Sequence, residues 1–342
     1  MRKYLNSGRE KELNLPYSRM ALGIEYAGIT IEDEEYWYWC VSPIQGGDGK
    51  IHLYCSRWPW GGGMEFWRTH CEIVHFVGDR PEGPFRFSDV VLDNAGLPAP
   101  TWQMSPHNPH ISYVDGKYVL TFIIQDKWQE GGYGTSIGQM VSDSPYGSWK
   151  FMTDDGIVMR PSEKESDWTY RGVTGVDNPA FIRYNDRYWL FFKSGQKHDG
   201  SMHYGYAISD KLGGPYEICD EPKMDNIHYV EDAACFALDG ELYLVTTDNF
   251  GENSGIFGAG ILWQMKDGFF RLNDAKIAYG VLSDYTALPE ETSYISDDHS
   301  GKLERPGILM LDGKPAYLYG CTRASVRGSN KTENYIFKIN QF

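Results

Sequence analysis

Short runs of apolar and aromatic residues, each preceded by a tight turn signal, recur along most of the chain. The turn signals combine Asp, Asn and Gly with a charged residue, which is typical of the connection in a β-hairpin. The runs that follow are rich in Tyr, Phe, Trp, Leu and Val, which suit the half-buried surface of a strand. Five such units stand at 48–54, 115–122, 185–192, 239–245 and 312–319. We therefore expect a chain built from hairpins.

A short polar motif, usually ending in proline, precedes each of these turns. The five motifs are Val41-Ser42-Pro43, His107-Asn108-Pro109, Asp177-Asn178-Pro179, Glu231-Asp232-Ala233 and Glu304-Arg305-Pro306. Repeats of roughly 50 to 70 residues, each built from hairpins, are typical of a β-propeller. The sequence therefore predicts an all-β fold, a five-bladed β-propeller, with the five motifs at equivalent places around one axis.

The beginning of the chain lacks this pattern. Residues 1–22 are polar and helix-tolerant and predict a short N-terminal extension before one propeller domain at 23–342. A strand near Gly23 to Gly28 is expected to pair with the last blade and so remove the free sheet edges. The extension is a candidate surface for a homodimer.

Composition narrows the classes of function. The net charge of −15 argues against a nucleic-acid partner, because a phosphate-binding surface needs clustered Lys and Arg. No apolar run of about 18 residues is present, so no membrane span is expected. No apolar segment follows the basic start, which favours a cytoplasmic protein, with a processed secreted form as the alternative. Six cysteines without metal-ligand spacing predict reduced, structural thiols.

The repeat resembles that of the five-bladed propeller glycoside hydrolases, which include arabinanases and xylosidases, invertases and levansucrases, and neoagarooligosaccharide hydrolases. The resemblance rests on Asp177-Asn178-Pro179, on the Glu231 and Glu304 motifs, and on the turns that end blades two and three, and it covers about residues 25 to 340. Those families have an Asp in the first blade's motif, as nucleophile or base. Here the first two motifs contain no carboxylate, so the catalytic set is either rotated around the ring or partly lost.

Three carboxylates are the predicted catalytic residues. Hydrolysis of a glycosidic bond ordinarily takes two carboxyl groups, one as acid and one as base or nucleophile. Asp177, Glu231 and Glu304 hold equivalent motif positions. The resemblance implies that Glu231 is the general acid, Asp177 the pKa modulator or the base, and Glu304 the remaining partner. The structural alternative for each is to cap a hairpin or to pair with an arginine of the next blade.

Other residues are predicted to bind the substrate. For His107 we favour a pocket function, either binding sugar hydroxyls or, by the resemblance, acting as an acid; an axial metal ligand and a bond to the backbone are the alternatives. Arg305 is expected to keep Asp177 or Glu231 ionised, or to bind a substrate carboxylate. Tryptophans in the long connections, including Trp58 and Trp168, are candidates to stack on sugar rings. The predicted substrate contacts are His107, Asn108, Arg305, Trp102, Trp128, Asp248 and Arg323.

Together these features predict a glycoside hydrolase that cleaves a small oligosaccharide, exo-acting, by carboxylate acid and base chemistry. No organic cofactor and no catalytic metal are expected, although a structural metal ion on the axis is compatible with the resemblance. Two alternatives stay open: a glycoside phosphorylase on the same fold, and a propeller that binds carbohydrate without cleaving it. Sugar, linkage and stereochemical outcome do not follow from the sequence.

Overall fold

In the computed structural model, the described residues are 13–98, 105–126, 134–170, 174–195, 202–226, 229–289, 301–323, 325–327 and 332–342. They form five antiparallel sheets with two short helices, α1 (Arg19–Gly23) and α2 (Trp67–His70). Neither helix is long or apolar enough to cross a membrane, and the described residues contain no other α-helix. The predicted all-β class, with helix confined to the N-terminus and a loop, is confirmed.

Each sheet is one blade. Blade one contains β2 (Tyr36–Gln45), β3 (Ile51–Pro59), β4 (Glu72–Gly78) and β5 (Phe85–Leu92). Blade two contains β6 (His107–Val114), β7 (Lys117–Asp126), β8 (Gly134–Ser142), β9 (Lys150–Phe151) and β10 (Ile157–Met159). Blade three contains β11 (Asp177–Tyr184), β12 (Arg187–Gly195), β13 (Met202–Ser209) and β14 (Glu217–Ile218). Blade four contains β15 (Val230–Leu238), β16 (Glu241–Asp248), β17 (Gly260–Lys266), β18 (Phe269–Phe270) and β19 (Lys276–Tyr279). Blade five contains β20 (Glu304–Leu311), β21 (Lys314–Thr322), β22 (Glu333–Ile339) and β1 (Ile24–Ile29).

The first long strand of every blade lines a common axis. Strand β2 contacts β6 and β20, β11 contacts β6 and β15, and β15 contacts β20, so these five strands close a ring. The N-terminal strand β1 pairs antiparallel with β22, with Ile24 opposite Ile339, as the sequence predicts. The five-bladed propeller is therefore confirmed, with its last blade completed by the beginning of the chain.

The hydrophobic core is divided among the five seams between neighbouring blades. Each seam has its own cluster of buried apolar side chains, such as Leu53 of blade one with Leu309 of blade five, or Phe191 of blade three with Trp263 of blade four. This explains why the strands read as apolar on both faces: each blade is covered on both sides.

The predicted turns connect the first two long strands of each blade. At Asp115-Gly116 and Asp239-Gly240 both central residues have positive φ, and the values in these turns and in the corresponding turns of blades three and five range from 48° to 82°. This is the conformation of a type I′ hairpin turn, which Asn, Asp and Gly adopt with little strain. Blade one differs, because its connection runs from Gly46 to Lys50 and only Gly49 has positive φ.

Each axial strand contains a bulge at its polar motif. The register shifts there, and one residue in every blade has φ between 51° and 66°: Cys40, Asn108, Asn178, Asp232 and Arg305. In blade one the shift lies between Trp39 and Ser42. The repeat-equivalent motif of that blade is therefore Trp39-Cys40-Val41, and the alignment on Val41-Ser42-Pro43 was wrong because it followed the proline rather than the bulge.

Candidate active site

The five bulge residues meet in a polar ring on the axis. Arg305 lies 2.7 Å from the Asp232 carboxylate through its terminal nitrogen, and Asn178 donates to the same carboxylate oxygen at 2.8 Å. With its amide oxygen toward the guanidinium, Asn108 accepts from both terminal nitrogens of Arg305, at 2.9 and 2.8 Å. Arg305 belongs to blade five and Asn108 to blade two. Because these two blades are not neighbours, the Arg305 side chain crosses the axis to reach Asn108. Cys40 completes the ring, with its Sγ 2.7 Å from the Asn108 amide.

This ring does not fit the axial metal ion that the family resemblance allows. The guanidinium of Arg305 already brings a positive charge to the centre of the ring and uses the Asp232 and Asn108 oxygens that would bind a cation. Within the described ranges, no group of three or more His, Cys, Asp and Glu side chains has a geometry suited to a metal ion.

The predicted catalytic residues stand one position before the ring residue in blades three, four and five. Lys193, opposite Asp177 in the β11–β12 register, joins two of them. Its Nζ lies 2.5 Å from Glu231 Oε1 and 4.0 Å from Asp177 Oδ2. Lys302 lies 2.9 Å from Glu304 Oε1. The side chains of Asp177, Glu231 and Glu304 are 15 %, 19 % and 18 % exposed, so each carboxylate is reached by solvent while being held by a lysine.

The electrostatic environment keeps Glu231 ionised. Burial by itself would raise the pKa of its carboxyl, but the charges of Lys193 and Arg305 and a hydrogen bond from Asn249 outweigh it and lower the pKa to about 2. Burial opposes the charge of Lys193 as well, yet Glu231 and Asp177 raise the pKa of that ammonium above its usual value. A carboxylate in this state suits a base or a nucleophile and not a proton donor. The ion pair with Lys193 thus argues against the general-acid function expected for Glu231.

Asp232 follows Glu231 in the chain and is fully buried. Burial raises the pKa of Asp232 to about 6; Glu231 and Glu304 act in the same direction and Arg305 against it. Its carboxylate forms an ion pair with Arg305. Arg305 reaches Glu231 only through longer-range attraction, since its direct partners are Asp232 and Asn108.

His107 sits beside the ring, behind aromatic side chains. It is 4 % exposed, its ring stacks on Trp67 at 4.7 Å, and its Nε2 accepts from the Asn108 amide at 2.9 Å. Burial, and next the charge of Arg305, lower the pKa of His107 well below its usual value. The imidazole is therefore neutral at physiological pH, which does not suit the donation of a proton by an imidazolium.

Several predicted contacts have a structural function instead. Asp248 is 1 % exposed, and its carboxylate accepts from the backbone and side chain of both Asn253 and Ser254. It fixes a loop, and its burial keeps it from contact with a sugar. Trp58 is fully buried in β3, and Trp168 stacks on Phe192 while donating to a backbone carbonyl.

The remaining predicted contacts divide into two groups. Arg323 follows β21 and is partly buried, and its Nε has no hydrogen-bond partner in the described part of the chain. Trp102 and Trp128 lie outside the described residues.

Sequence reasoning missed Lys302, although it stands two residues before Glu304 and could have been noticed for that proximity.

Comparisons with known proteins show which solved structures share this fold. No family model and no curated protein matches the sequence. Among solved structures, the chain is similar to Zg3597, a family 117 glycoside hydrolase of the marine bacterium Zobellia galactanivorans, with a TM-score of 0.61 and 17 % identity over 96 % of this chain and 91 % of that one.

Two further structures agree. CoXyl43, a family 43 β-xylosidase/α-arabinofuranosidase from a compost microbial metagenome, has a TM-score of 0.59 and 15 % identity over 91 % of this chain and 94 % of its own. A protein of unknown function from Dyadobacter fermentans has a TM-score of 0.61 and 13 % identity over 93 % of this chain and 100 % of its own. At these identities the likeness shows the fold, and it confirms the predicted resemblance to propeller glycoside hydrolases at that level.

Proposed function

We propose that this protein is a glycoside hydrolase that cleaves a glycosidic bond in a small oligosaccharide. The observation that carries the proposal is the placement of Asp177, Glu231 and Glu304 on neighbouring blades, just before one axial ring and each within reach of a lysine. Glycoside hydrolysis needs two carboxyl groups in different protonation states. Solved propellers of similar fold include glycoside hydrolases, which supports the same chemistry here.

The ion pairs of Glu231 with Lys193 and of Glu304 with Lys302 suggest which carboxyl group is the acid and which is the base or nucleophile. Glu231, whose pKa Lys193 and Arg305 lower against burial, is the base or the nucleophile. Glu304 is assigned as the proton donor by elimination, because Asp177 shares Lys193 with Glu231, and the Lys302–Glu304 ion pair must open when Glu304 takes up its proton. Asp177 is then a positioning residue, since its carboxylate lies 4.0 Å from the Lys193 ammonium.

This assignment accommodates the missing aspartate of blade one. The repeat-equivalent position there is Trp39, which is buried with Trp37 and Trp58 in an apolar cluster. Blade two contributes neutral His107. The catalytic set therefore belongs to blades three, four and five, rotated around the ring relative to the families that the sequence resembles.

Hydrolysis is favoured over phosphorolysis by the same contacts. A phosphorylase needs cationic side chains that are available to phosphate. In the described part of the site, Lys193 and Lys302 are within 2.5 and 2.9 Å of carboxylates, and Arg305 is held by Asp232. Exo-action remains part of the proposal and rests on the long connections between the repeated strands, which would enclose a chain end.

Turnover of a panel of aryl glycosides and oligosaccharides, with and without phosphate, tests the function. Glu231→Gln and Glu304→Gln should each lose at least about a hundredfold in kcat. Azide should partly restore Glu231→Ala, whose shortened side chain leaves room for an anion in place of the lost base or nucleophile, and an activated aryl leaving group should restore Glu304→Gln. Glu217→Gln, on the exposed outer strand β14, is the matched control and should keep wild-type turnover.

The other outcomes distinguish the alternatives. Near wild-type turnover in either glutamine variant removes that residue from the mechanism. Turnover that requires phosphate identifies a phosphorylase. Binding of an oligosaccharide without turnover of any glycoside identifies a carbohydrate-binding propeller, and the hydrolase proposal is then overturned.

A further inference from the structure

Three aromatic side chains form an exposed cluster beside the carboxylates, on blade four. The rings of Tyr229 and Phe250 are 5.2 Å apart and nearly perpendicular, and those of Phe250 and Phe257 are 6.4 Å apart. Phe250 is 54 % exposed and Phe257 38 %. Tyr229 is partly buried. Adjacent exposed phenylalanines are unfavourable in water, and a contiguous exposed aromatic patch commonly marks a binding surface.

The loop that holds the two phenylalanines is tightly fixed. The buried Asp248 carboxylate accepts from the backbone of Asn253 and Ser254, and the Asp248 carbonyl accepts from Gly258 N at 2.9 Å. Gly251, at φ 71°, lies so close to the backbone of Ile256 that a Cβ there would be 2.5 Å from it. The exposure of the aromatic rings therefore belongs to an ordered surface.

One side of the cluster contacts the lysine of Glu304. Lys302 Nζ lies 5.4 Å from the centre of the Phe257 ring and 2.9 Å from Glu304 Oε1. The Lys302 side chain also packs on Gly258, where a Cβ would lie 2.0 Å from Lys302 Cγ. The positions of Phe257 and of the Lys302–Glu304 pair are thus coupled through direct contacts.

On the other side of the cluster, Asn249 links Tyr229 to Glu231. Asn249 N donates to the Tyr229 carbonyl at 3.2 Å, and the Asn249 side chain hydrogen-bonds to Glu231. The amide oxygen of Asn249 is buried and has no hydrogen-bond partner among the described residues. To accept from a hydroxyl of a ligand bound between the cluster and Glu231, that oxygen must turn toward the surface.

We propose that Tyr229, Phe250 and Phe257 form the platform on which the leaving-group sugar of the substrate stacks, with Asn249 accepting from one of its hydroxyls. The ligand class is a pyranose with an unbroken C–H face, because such a face packs on aromatic rings while its rim of hydroxyls needs polar partners. The assignment to the leaving group rests on the proposed function: Phe257 borders Lys302, which holds Glu304, the carboxyl that protonates the departing oxygen. The platform thus selects the sugar on the far side of the scissile bond.

Two substrates that differ only in the leaving group test this platform. A disaccharide carries a leaving-group ring, and the corresponding glycosyl fluoride carries none. For Phe250→Ala and Phe257→Ala we expect kcat/KM for the disaccharide to fall roughly five- to tenfold each, as the loss of one aromatic contact implies, with the fluoride unchanged. Phe87→Ala is the matched control, since Phe87 is 48 % exposed on the outer strand of blade one.

Equal losses on the disaccharide and on the fluoride, or no loss on either, would overturn the platform while leaving the hydrolase proposal intact. A direct binding measurement separates the two proposals further. Xylobiose, cellobiose and neoagarobiose are each added to the Glu231→Gln protein and followed by saturation-transfer NMR. Binding that Phe257→Ala abolishes supports the sugar platform even if no glycoside is ever cleaved. Binding of none of the three, or binding unchanged by Phe257→Ala, contradicts it.

Discussion

Glu231 owes its ionised state to a lysine on the neighbouring blade. Lys193 comes from the second strand of blade three, whereas Glu231 begins the first strand of blade four. The sequence identified Asp177, Glu231 and Glu304 as equivalent positions because the motif repeats. It could not assign their protonation states, since a pKa depends on charges within a few ångströms, and Lys193 stands 38 positions before Glu231.

Lys193→Met should therefore change the pH dependence of catalysis. Without the ammonium, burial dominates and the pKa of Glu231 rises from about 2 toward and above its ordinary value of 4.5. The acidic limb of the kcat/KM profile, where Glu231 becomes protonated, then moves to higher pH by at least about one unit. Lys193→Arg keeps the charge and is the control. An acidic limb at the same pH in Lys193→Met would show that another group controls that limb.

The strands and turns were predictable, whereas the bulges were not. Strand β11 begins at Asp177 and β20 at Glu304, where the motifs place them, and four hairpin turns have the conformation that Asp-Gly and Asn-Asp favour. Positive φ is common for Asn and Asp but rare for Cys and Arg. Nothing in the residue type of Cys40 therefore signals the bulge of blade one. Its proline, Pro43, stands three residues after Cys40, whereas in blades two, three and five the proline directly follows the bulge residue.

The loop after β16 shows how one buried carboxylate supports an element. Asp248→Ala would leave the backbone nitrogens of Asn253 and Ser254 without their acceptor. We expect the free energy of unfolding to fall by about 2–3 kcal/mol, since a buried donor without a partner is costly. Urea denaturation measures this, with exposed Asp225→Ala as the control. Equal stability of the two variants would mean that the loop does not depend on Asp248.

At the scale of the whole molecule, the five-fold repeat explains the fold and only part of the chemistry. Each seam buries its own apolar cluster, and β1 closes the last blade, so the ring follows from a pattern that the sequence repeats five times. The site departs from that symmetry. Carboxylates precede the bulge in blades three to five, while Trp39 and His107 hold the same place in blades one and two. The sequence shows which residue holds this place in each blade. The effect of that residue on catalysis depends on the polar ring around Arg305, which only the structure shows.

The most direct measurement of the central claim is time-resolved proton and phosphorus NMR of the wild-type protein with an oligosaccharide in phosphate buffer. The account predicts that free reducing sugars appear at a rate that does not depend on phosphate, that no glycosyl phosphate signal develops, and that Glu231→Gln abolishes the reaction while the protein stays folded. Formation of a glycosyl phosphate, or sugar release that persists at the wild-type rate in Glu231→Gln, would contradict it.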